Sequence, residues 1–413
     1  MTAVLVSRRA ILPELAGWVA GAPRAVHLIT SASSVTDAGM CALAAAGVET
    51  VVVEDYDSDQ TTRLIEATCR RVGASRLLST TEIDVQRCAA IRQRIGLPGQ
   101  SVASANAYRD KYDMKSRVSA AGIATARMAL ADDAAAVDDL MHRADRFVLK
   151  PVRGVASKRT FMLDTAEELQ RMLSRTASRS DYLVEERLDG ELFHVDGLML
   201  DGTVLQAWPS RYLHQQWRTM YEAKPNLSVM LADGAEAERL VATVREVVDA
   251  LPAAEGLHAF HAEFFVEADG PVYLGEIAAR AGGAGIVEAY EHSFGVNLYA
   301  EPIRAGLGFV SSERVARRAP DTLHGWGWFP PHEGTLLRAP SSAPTAQTLR
   351  YDLLVEHLPR HFDGPHAVTD AVATILFRRR VTDGSEPEDE MTQLLEIERW
   401  WNTNTEWTKG ENR

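Results

Sequence analysis

Short apolar runs alternate with helix-period segments over the first hundred residues. AVLV at 3–6, AVHLI at 25–29 and VETVVV at 48–53 read as strands, with helical patterns over 37–46 and 61–72 between them. Such alternation predicts a parallel sheet covered by helices. Leu97-Pro98-Gly99-Gln100 interrupts the pattern and marks a boundary. Beyond it, AYRDKYDMK at 107–115 reads as a helix with its charges at the start, ending at Ala121-Gly122. Residues 147–149 and 161–163 are short strands, and 165–174 is a helix with Thr165 and Glu168 as a capping box. Residues 182–184 and 193–199 are further strands, and Asp201-Gly202 turns the second into a hairpin. Residues 206–230 mix aromatic and basic side chains without a period and read as a loop, either facing a substrate or simply on the surface. An amphipathic helix over 236–251 leads into a hairpin and a glycine-rich corner, HAFHAEFFVEADGPVYLGEIAARAGGAG at 258–285. Helix returns over 286–307 with a break at 294–297. After about 309 the composition changes: GWGWFPP at 325–331, a strand at 371–377 and a helix at 391–401 read as a small C-terminal domain.

The hairpin carries the sharpest electrostatic signal. A two-residue turn at Asp269-Gly270 pairs Ala268 with Pro271 and Glu267 with Val272, and the ladder then sets Glu263 directly opposite Glu276. Cross-strand Cβ atoms lie about 4.5–5.5 Å apart, where like charges destabilise a sheet. The pair therefore calls for a shared proton or a cation, Mg²⁺ first, unless this is an ordinary solvated face. Arg280 lies on the same side of the strand, beyond the acids. Upstream, Lys150 ends a strand at Pro151, and 153–159 is a small-residue loop with three cations. That loop suits phosphate oxygens, or is a plain turn with surface charges. Glu185 and Glu186 close another strand, placed to accept from an exocyclic amine or to face water. His194 and Asp196 share a strand face, a pair that is more often structural than catalytic.

Composition narrows the partners. With 413 residues the chain is long enough for two or three domains. A formal net charge of −13 argues against a nucleic-acid partner and against an anionic membrane surface. No apolar run reaches membrane-spanning length, and the N-terminus does not read as a signal peptide. Cys41, Cys69 and Cys88 form no metal-type spacing, and an odd count favours a reducing, cytoplasmic setting.

RDK…K near 109–115, VLKP at 148–151, VEERLDG at 184–190 and HAEFF…GEIAARAGG at 261–283 occur in an order that resembles the ATP-grasp superfamily, within it the carboxylate–amine ligases that include L-amino acid ligases. The resemblance covers roughly 1–308. It implies an α/β fold: a Rossmann-like parallel-sheet domain (1–103), an ATP-grasp small lobe (104–180), a large lobe (181–308) and a small C-terminal subdomain (309–413). It also implies ATP as cosubstrate and Mg²⁺, with Mn²⁺ as the alternative ion, small carboxylate and amine substrates, and, as among many relatives, a homodimer. Lys115 and Lys150 would hold the phosphates under a loop from Arg153 through Ser157 to Lys158. Glu185, the backbone at Glu186 and Leu188 would receive adenine. Glu263 and Glu276 would hold metal and Arg280 the developing oxyanion. Arg211, Tyr212, His214, Gly282 and Gly283 are the substrate candidates. Two departures stand out. Ala278 occupies a place where many relatives carry a metal-binding Asn. Leu192 stands where a ribose-binding acid is common, with His194 and Asp196 as substitutes. The rivals to a ligase are a bicarbonate-phosphorylating carboxylase and a nucleotide-binding relative without turnover.

Overall fold

A computed structural model describes residues 1–267, 270–309, 320, 322–380 and 390–409. The first strands form a parallel sheet in the order Glu49–Val53, Ala25–Ser31, Thr2–Ser7, Ala74–Ser79. The last of these has no strong apolar run of its own (ASRLLS) and was not anticipated from the pattern. Side-chain caps start two of the covering helices: Thr36 Oγ1 accepts from Gly39 N–H, and Ser58 Oγ from Thr61 N–H.

A second, antiparallel sheet runs Met128–Leu130, Tyr182–Glu186, Phe147–Pro151, Phe161–Leu163. The largest has eight strands: Val272–Ala278, Leu257–Val266, Glu191–Leu200, Thr203–Tyr212, Asn226–Met230, His324–Phe329, Ala373–Arg378, Thr348–Leu353. The predicted 206–230 loop is therefore mostly sheet, with a short helix Gln216–Glu222 at its turn. Trp208 and Tyr212 are buried on its strands, while Trp217 and the exposed Tyr221 lie on the helix, so no single period ran through the segment. The segment after 308 is not set apart either. Asn226↔Trp328 and Ser228↔Trp326 pair it directly with the large sheet. A smaller sheet, Arg360–Asp363, Glu333–Arg338, Glu406–Lys409, completes the C-terminal part.

Helix Ala300–Leu307 returns to the first sheet, where Ile303 and Leu307 join the core of Leu5 and Leu28. A Cβ on Gly306 would lie 2.5 Å from the Leu78 side chain, which would have to turn aside, so helix and strand pack closely here. Among the described residues no helix is long and apolar enough to cross a membrane.

Candidate functional site

The acid pair sits where the ladder arithmetic placed it, by a different route. Near the turn the pairing is Val266↔Val272, one residue off the expected Glu267↔Val272, because the connection is longer than two residues. Ala268 and Asp269, the centre of the expected turn, lie outside the described residues. The ladder then slips at Gly275, between Phe264↔Leu274 and Glu263↔Glu276, and the bulge restores the register. A Cβ at Gly275 would stand 3.1 Å from the Glu263 carbonyl oxygen, which explains a glycine inside this strand. His261 then faces Ala278.

Lys111, the lysine of the RDK motif and given no role of its own in the sequence, serves this pair. Its Nζ lies 3.0 Å from Glu276 Oε2 and donates to the Gly154 carbonyl at 3.1 Å. Burial would raise the Glu276 carboxyl, but Lys111 and then Lys150 hold it well below the usual carboxylate range. Two adjacent carboxylates supply the hard oxygen donors a divalent cation prefers, so the residues present fit such an ion.

Lys111 and Lys115 stand four residues apart, on one face of helix Lys111–Ala120. Lys115, 1% exposed, donates to Glu185 Oε1 at 2.7 Å. Lys150 reaches Glu185 Oε2 at 2.8 Å. Glu185 is thus spent on two lysines rather than turned to an adenine amine, because Val148↔Glu185 pairing makes Lys150 its diagonal neighbour on the same sheet face. Burial lowers the Lys115 ammonium to about 8, offset in part by Glu185. Burial would lower the Lys150 ammonium, but Glu185, joined by Glu276 and Glu263, overrides it, and its pKa is raised.

Above the lysines, Ala156, Ser157 and Arg159 hold left-handed backbone (φ 53°, 55° and 57°). Non-glycine residues are uncommon in that region and, where they occur, cluster at ligand clamps and switch loops. Ser157 and Lys158 line a cleft with Lys111, Lys115 and Lys150, and its far end is walled by Val148, Met162, Leu188 and Phe265, an apolar slot suited to a planar base. Glu186 also borders the slot, but its carboxylate accepts from Arg127 N–H at 2.8 Å and its own N–H donates to the Arg127 carbonyl. Arg153 is drawn aside by Asp110 at 3.1 Å and borders the adjoining cavity instead.

His194 and Asp196 do not border this apolar slot, where the ribose-binding expectation would put them. They are 1% and 2% exposed, beneath the acids, because strand pairing sets His194 beside Glu263 and Asp196 beside His261. His194 Nδ1 contacts Asp196, and His194 Nε2 contacts Ser228 Oγ at 2.7 Å. The other Asp196 oxygen holds His261 Nδ1 at 2.9 Å. His261 Nε2 lies 3.5 Å from Glu263. Donor atoms of His194, Asp196 and His261 fall within 4.8 Å of one another, yet the hydrogen bonds among them already occupy those atoms. The cluster fits a positioning network under Glu263 better than a second metal centre. Burial would lower His261, but Asp196 overrides it and pushes the imidazole up to about 10.

Arg280 contacts the Glu82 carboxylate through Nε and donates from Nη1 to the Ala281 carbonyl at 2.9 Å. Arg109 Nη1 reaches the same Glu82 at 2.9 Å. These contacts border a cavity of about 540 Å³ that also takes in Arg9, Tyr212, Gly283, Glu263 and Glu276. Arg211 and His214 do not join it. Arg211 is on the opposite strand face, paired with Glu191 over the Phe193 ring, and His214 Nε2 is held by Glu398 at 2.9 Å. Gly282 is a packing residue, since a Cβ there would meet Ile286 at 2.6 Å. Of the residues to which the sequence assigned no role, Lys111 was readable from its spacing to Lys115. Glu82, Arg109 and Arg9 gather only through tertiary packing.

A parallel-sheet domain, a small antiparallel lobe and a large antiparallel sheet, with lysines and acids facing a cleft between them, make up the ATP-grasp fold, and the chain has it. An L-amino acid ligase from Bacillus licheniformis has the same fold, with a TM-score of 0.71 and 17% identity over 100% of this chain and 99% of that one. Phosphoribosylglycinamide synthetase from Anaerococcus prevotii matches with a TM-score of 0.65 and 15% identity over 99% and 100% of the two chains. The biotin carboxylase domain of Hydrogenobacter thermophilus 2-oxoglutarate carboxylase, solved with MgADP and bicarbonate, also has a TM-score of 0.65, at 17% identity over 91% and 86%. In sequence, an L-arginine-specific L-amino acid ligase of Bacillus subtilis is 24% identical over 234 residues, 54% of this chain. The match spans about half the length of that relative, 55%. No family model matches the sequence.

Proposed function

We propose that the chain is an ATP-dependent carboxylate–amine ligase that forms an amide or peptide bond between small molecules, amino acids foremost, and releases ADP and phosphate. One observation carries this reading: Glu263, Glu276 and Ser157 border both the base-shaped cleft and the 540 Å³ cavity, so a phosphoryl group held at the acids faces both spaces.

A carboxylate oxygen in the larger cavity attacks the γ-phosphorus, the bond to the β-phosphate oxygen breaks, and ADP leaves. The amine nitrogen then attacks the acyl carbon, the carbon–oxygen bond to phosphate breaks, and the amine proton is lost as phosphate departs. Lys115, Lys150 and the 153–158 loop hold the phosphates and exclude water. Arg280, fixed by Glu82, meets the charge that develops on the acyl oxygen. Mg²⁺, or Mn²⁺ in its place, would be held by Glu263 and Glu276 and would neutralise phosphate charge. The three cysteines are free thiols, in keeping with a cytoplasmic enzyme.

An L-amino acid ligase stands among the similar sequences and among the similar structures alike, which favours a ligase over a carboxylase. ADP release that requires both an acid and an amine supports the proposal. Release driven by bicarbonate alone points to the carboxylase, and tight ATP binding without turnover on any mixture to a silent relative.

A further inference from the structure

The N-terminal sheet carries chemistry that the steps above leave unused. Its chain runs from Thr2–Ser7 outward through Ala25–Ser31 to Glu49–Val53, then returns to the other side of Thr2–Ser7 as Ala74–Ser79. In open parallel sheets, ligands bind outside the carboxyl ends of the strands where the order reverses in this way. The residues leaving those two ends are Arg8 and Arg9 on one side, Thr80, Thr81 and Glu82 on the other. Arg9, Thr81 and Glu82 border the 540 Å³ cavity that reaches the acid pair.

Arg9 is fixed at the mouth of this crevice. Its Nε donates to the Thr80 carbonyl at 3.0 Å, and its guanidinium lies 4.6 Å from the Tyr299 ring centroid. The Tyr299 hydroxyl is tied in turn to the Gly282 carbonyl at 3.2 Å. Among the described residues, Arg9 Nη1 and Nη2 have no hydrogen-bond partner. Glu82 does not serve them, because Arg109 and Arg280 already share it. Three guanidiniums thus stand around one carboxylate. Burial pushes the Arg9 guanidinium below its ordinary range and Arg280 adds to this, against Tyr299 and Glu82. A fixed, half-buried guanidinium whose two NH2 groups are free is suited to a carboxylate.

We propose that Arg9 is a specificity-determining residue that receives the carboxylate of the amine-bearing substrate, so that the nucleophile is an amino-carboxylate rather than a simple amine. The assignment rests on the ligase reading. The carboxylate to be activated must lie at the acid pair beside Arg280, so a second carboxylate in the same cavity meets Arg9. The N-terminal sheet then selects the second substrate, while the two ATP-grasp lobes handle the nucleotide.

The experiment takes an acyl partner that supports ADP release and compares the twenty amino acids as amines with their α-carboxamides. The wild-type enzyme should prefer the free acids by about 100-fold in kcat/KM, the upper range for a hydrogen bond to a charged group. Arg9→Gln should raise KM for the free acid about tenfold or more, keep KM for ATP, and bring the acid-to-carboxamide ratio toward one. Arg9→Lys should keep part of that ratio, because it retains the charge without the fork. Equal use of acids and carboxamides by the wild-type enzyme overturns the assignment whether or not the variants fold. An Arg9→Gln enzyme whose KM rises for the acyl partner instead also overturns it. Absence of ADP release with every pair removes the ligase reading, and this assignment with it.

Discussion

Glu276 answers to three cations at once, and its surroundings set the first expectation. Lys111, Lys150 and Arg280 all stabilise its anion, yet the carboxylate also faces Glu263 across the ladder. Glu276→Gln keeps the shape and removes the charge, while Arg280→Ala removes the donor beyond it. Each should cut the rate of ADP release about 100-fold or more, the usual cost of losing a charge-stabilising group. Unchanged rates in both would detach the acid pair from the chemistry. Lys115 supplies a pH dependence. Its ammonium, lowered by burial to about 8 from 10.5, is charged below that pH and neutral above it. ATP binding should therefore weaken roughly tenfold as pH rises through 8, the worth of one charged hydrogen bond, and Lys115→Met should flatten that limb. Stability moves the other way. Between about 8 and 10.5 the unfolded chain binds a proton that the folded chain lacks, so this group favours folding more as pH rises across that window. Nucleotide titrations at pH 7 and 9 check the first effect; affinity that holds constant would remove Lys115 from phosphate binding.

Among the elements, the hairpin Leu257–Val266 and Val272–Ala278 shows what a sequence can and cannot convey. Pairing counted back from a two-residue turn reached the right acids although the turn was longer, because the Gly275 bulge cancelled the slip. The glycine inside YLGEIA was itself a readable bulge signal. A β-branched side chain there must displace the Glu263 carbonyl or the Phe265 ring, which a Cβ would approach to 3.1 and 3.2 Å. Gly275→Val should slow ADP release at least tenfold, while overpacking costs only about 1–3 kcal/mol of stability. Normal activity in that variant would mean that the bulge does not set the acids. The alternating N-terminal strands and helices, the strand ending at Lys150 and the spacing of Lys111 and Lys115 were legible because each is local. The partners of Glu185 were not, because its two lysines come from two different elements. Glu82 and Arg280 are 198 residues apart, and no local pattern announces such a pair.

At the scale of the whole molecule, the segment after residue 308 is part of the wall that carries the site. A change of composition near 309 suggested a separable domain, yet three strands from beyond that point extend the large sheet. Trp326 packs into the same core as Leu198, Tyr212 and Ile286, and a Cβ on Gly285 would lie 2.5 Å from it. Phe329 stacks on Trp401, with ring centroids 4.3 Å apart. Removing everything after residue 308 would bare the edge of Asn226–Met230 and strip the apolar cover from Tyr212 and the His194–Asp196 network beneath the acids. Exposed edges and uncovered cores of this kind drive association rather than independent folding. A chain ending at residue 308 should therefore be recovered aggregated or without a cooperative thermal transition, and should fail to bind ATP. Calorimetry and nucleotide titration on that chain decide the matter. A sharp transition with ATP affinity intact would mean that the cleft stands without its C-terminal wall, and that the eight-stranded sheet is a junction between two units rather than one.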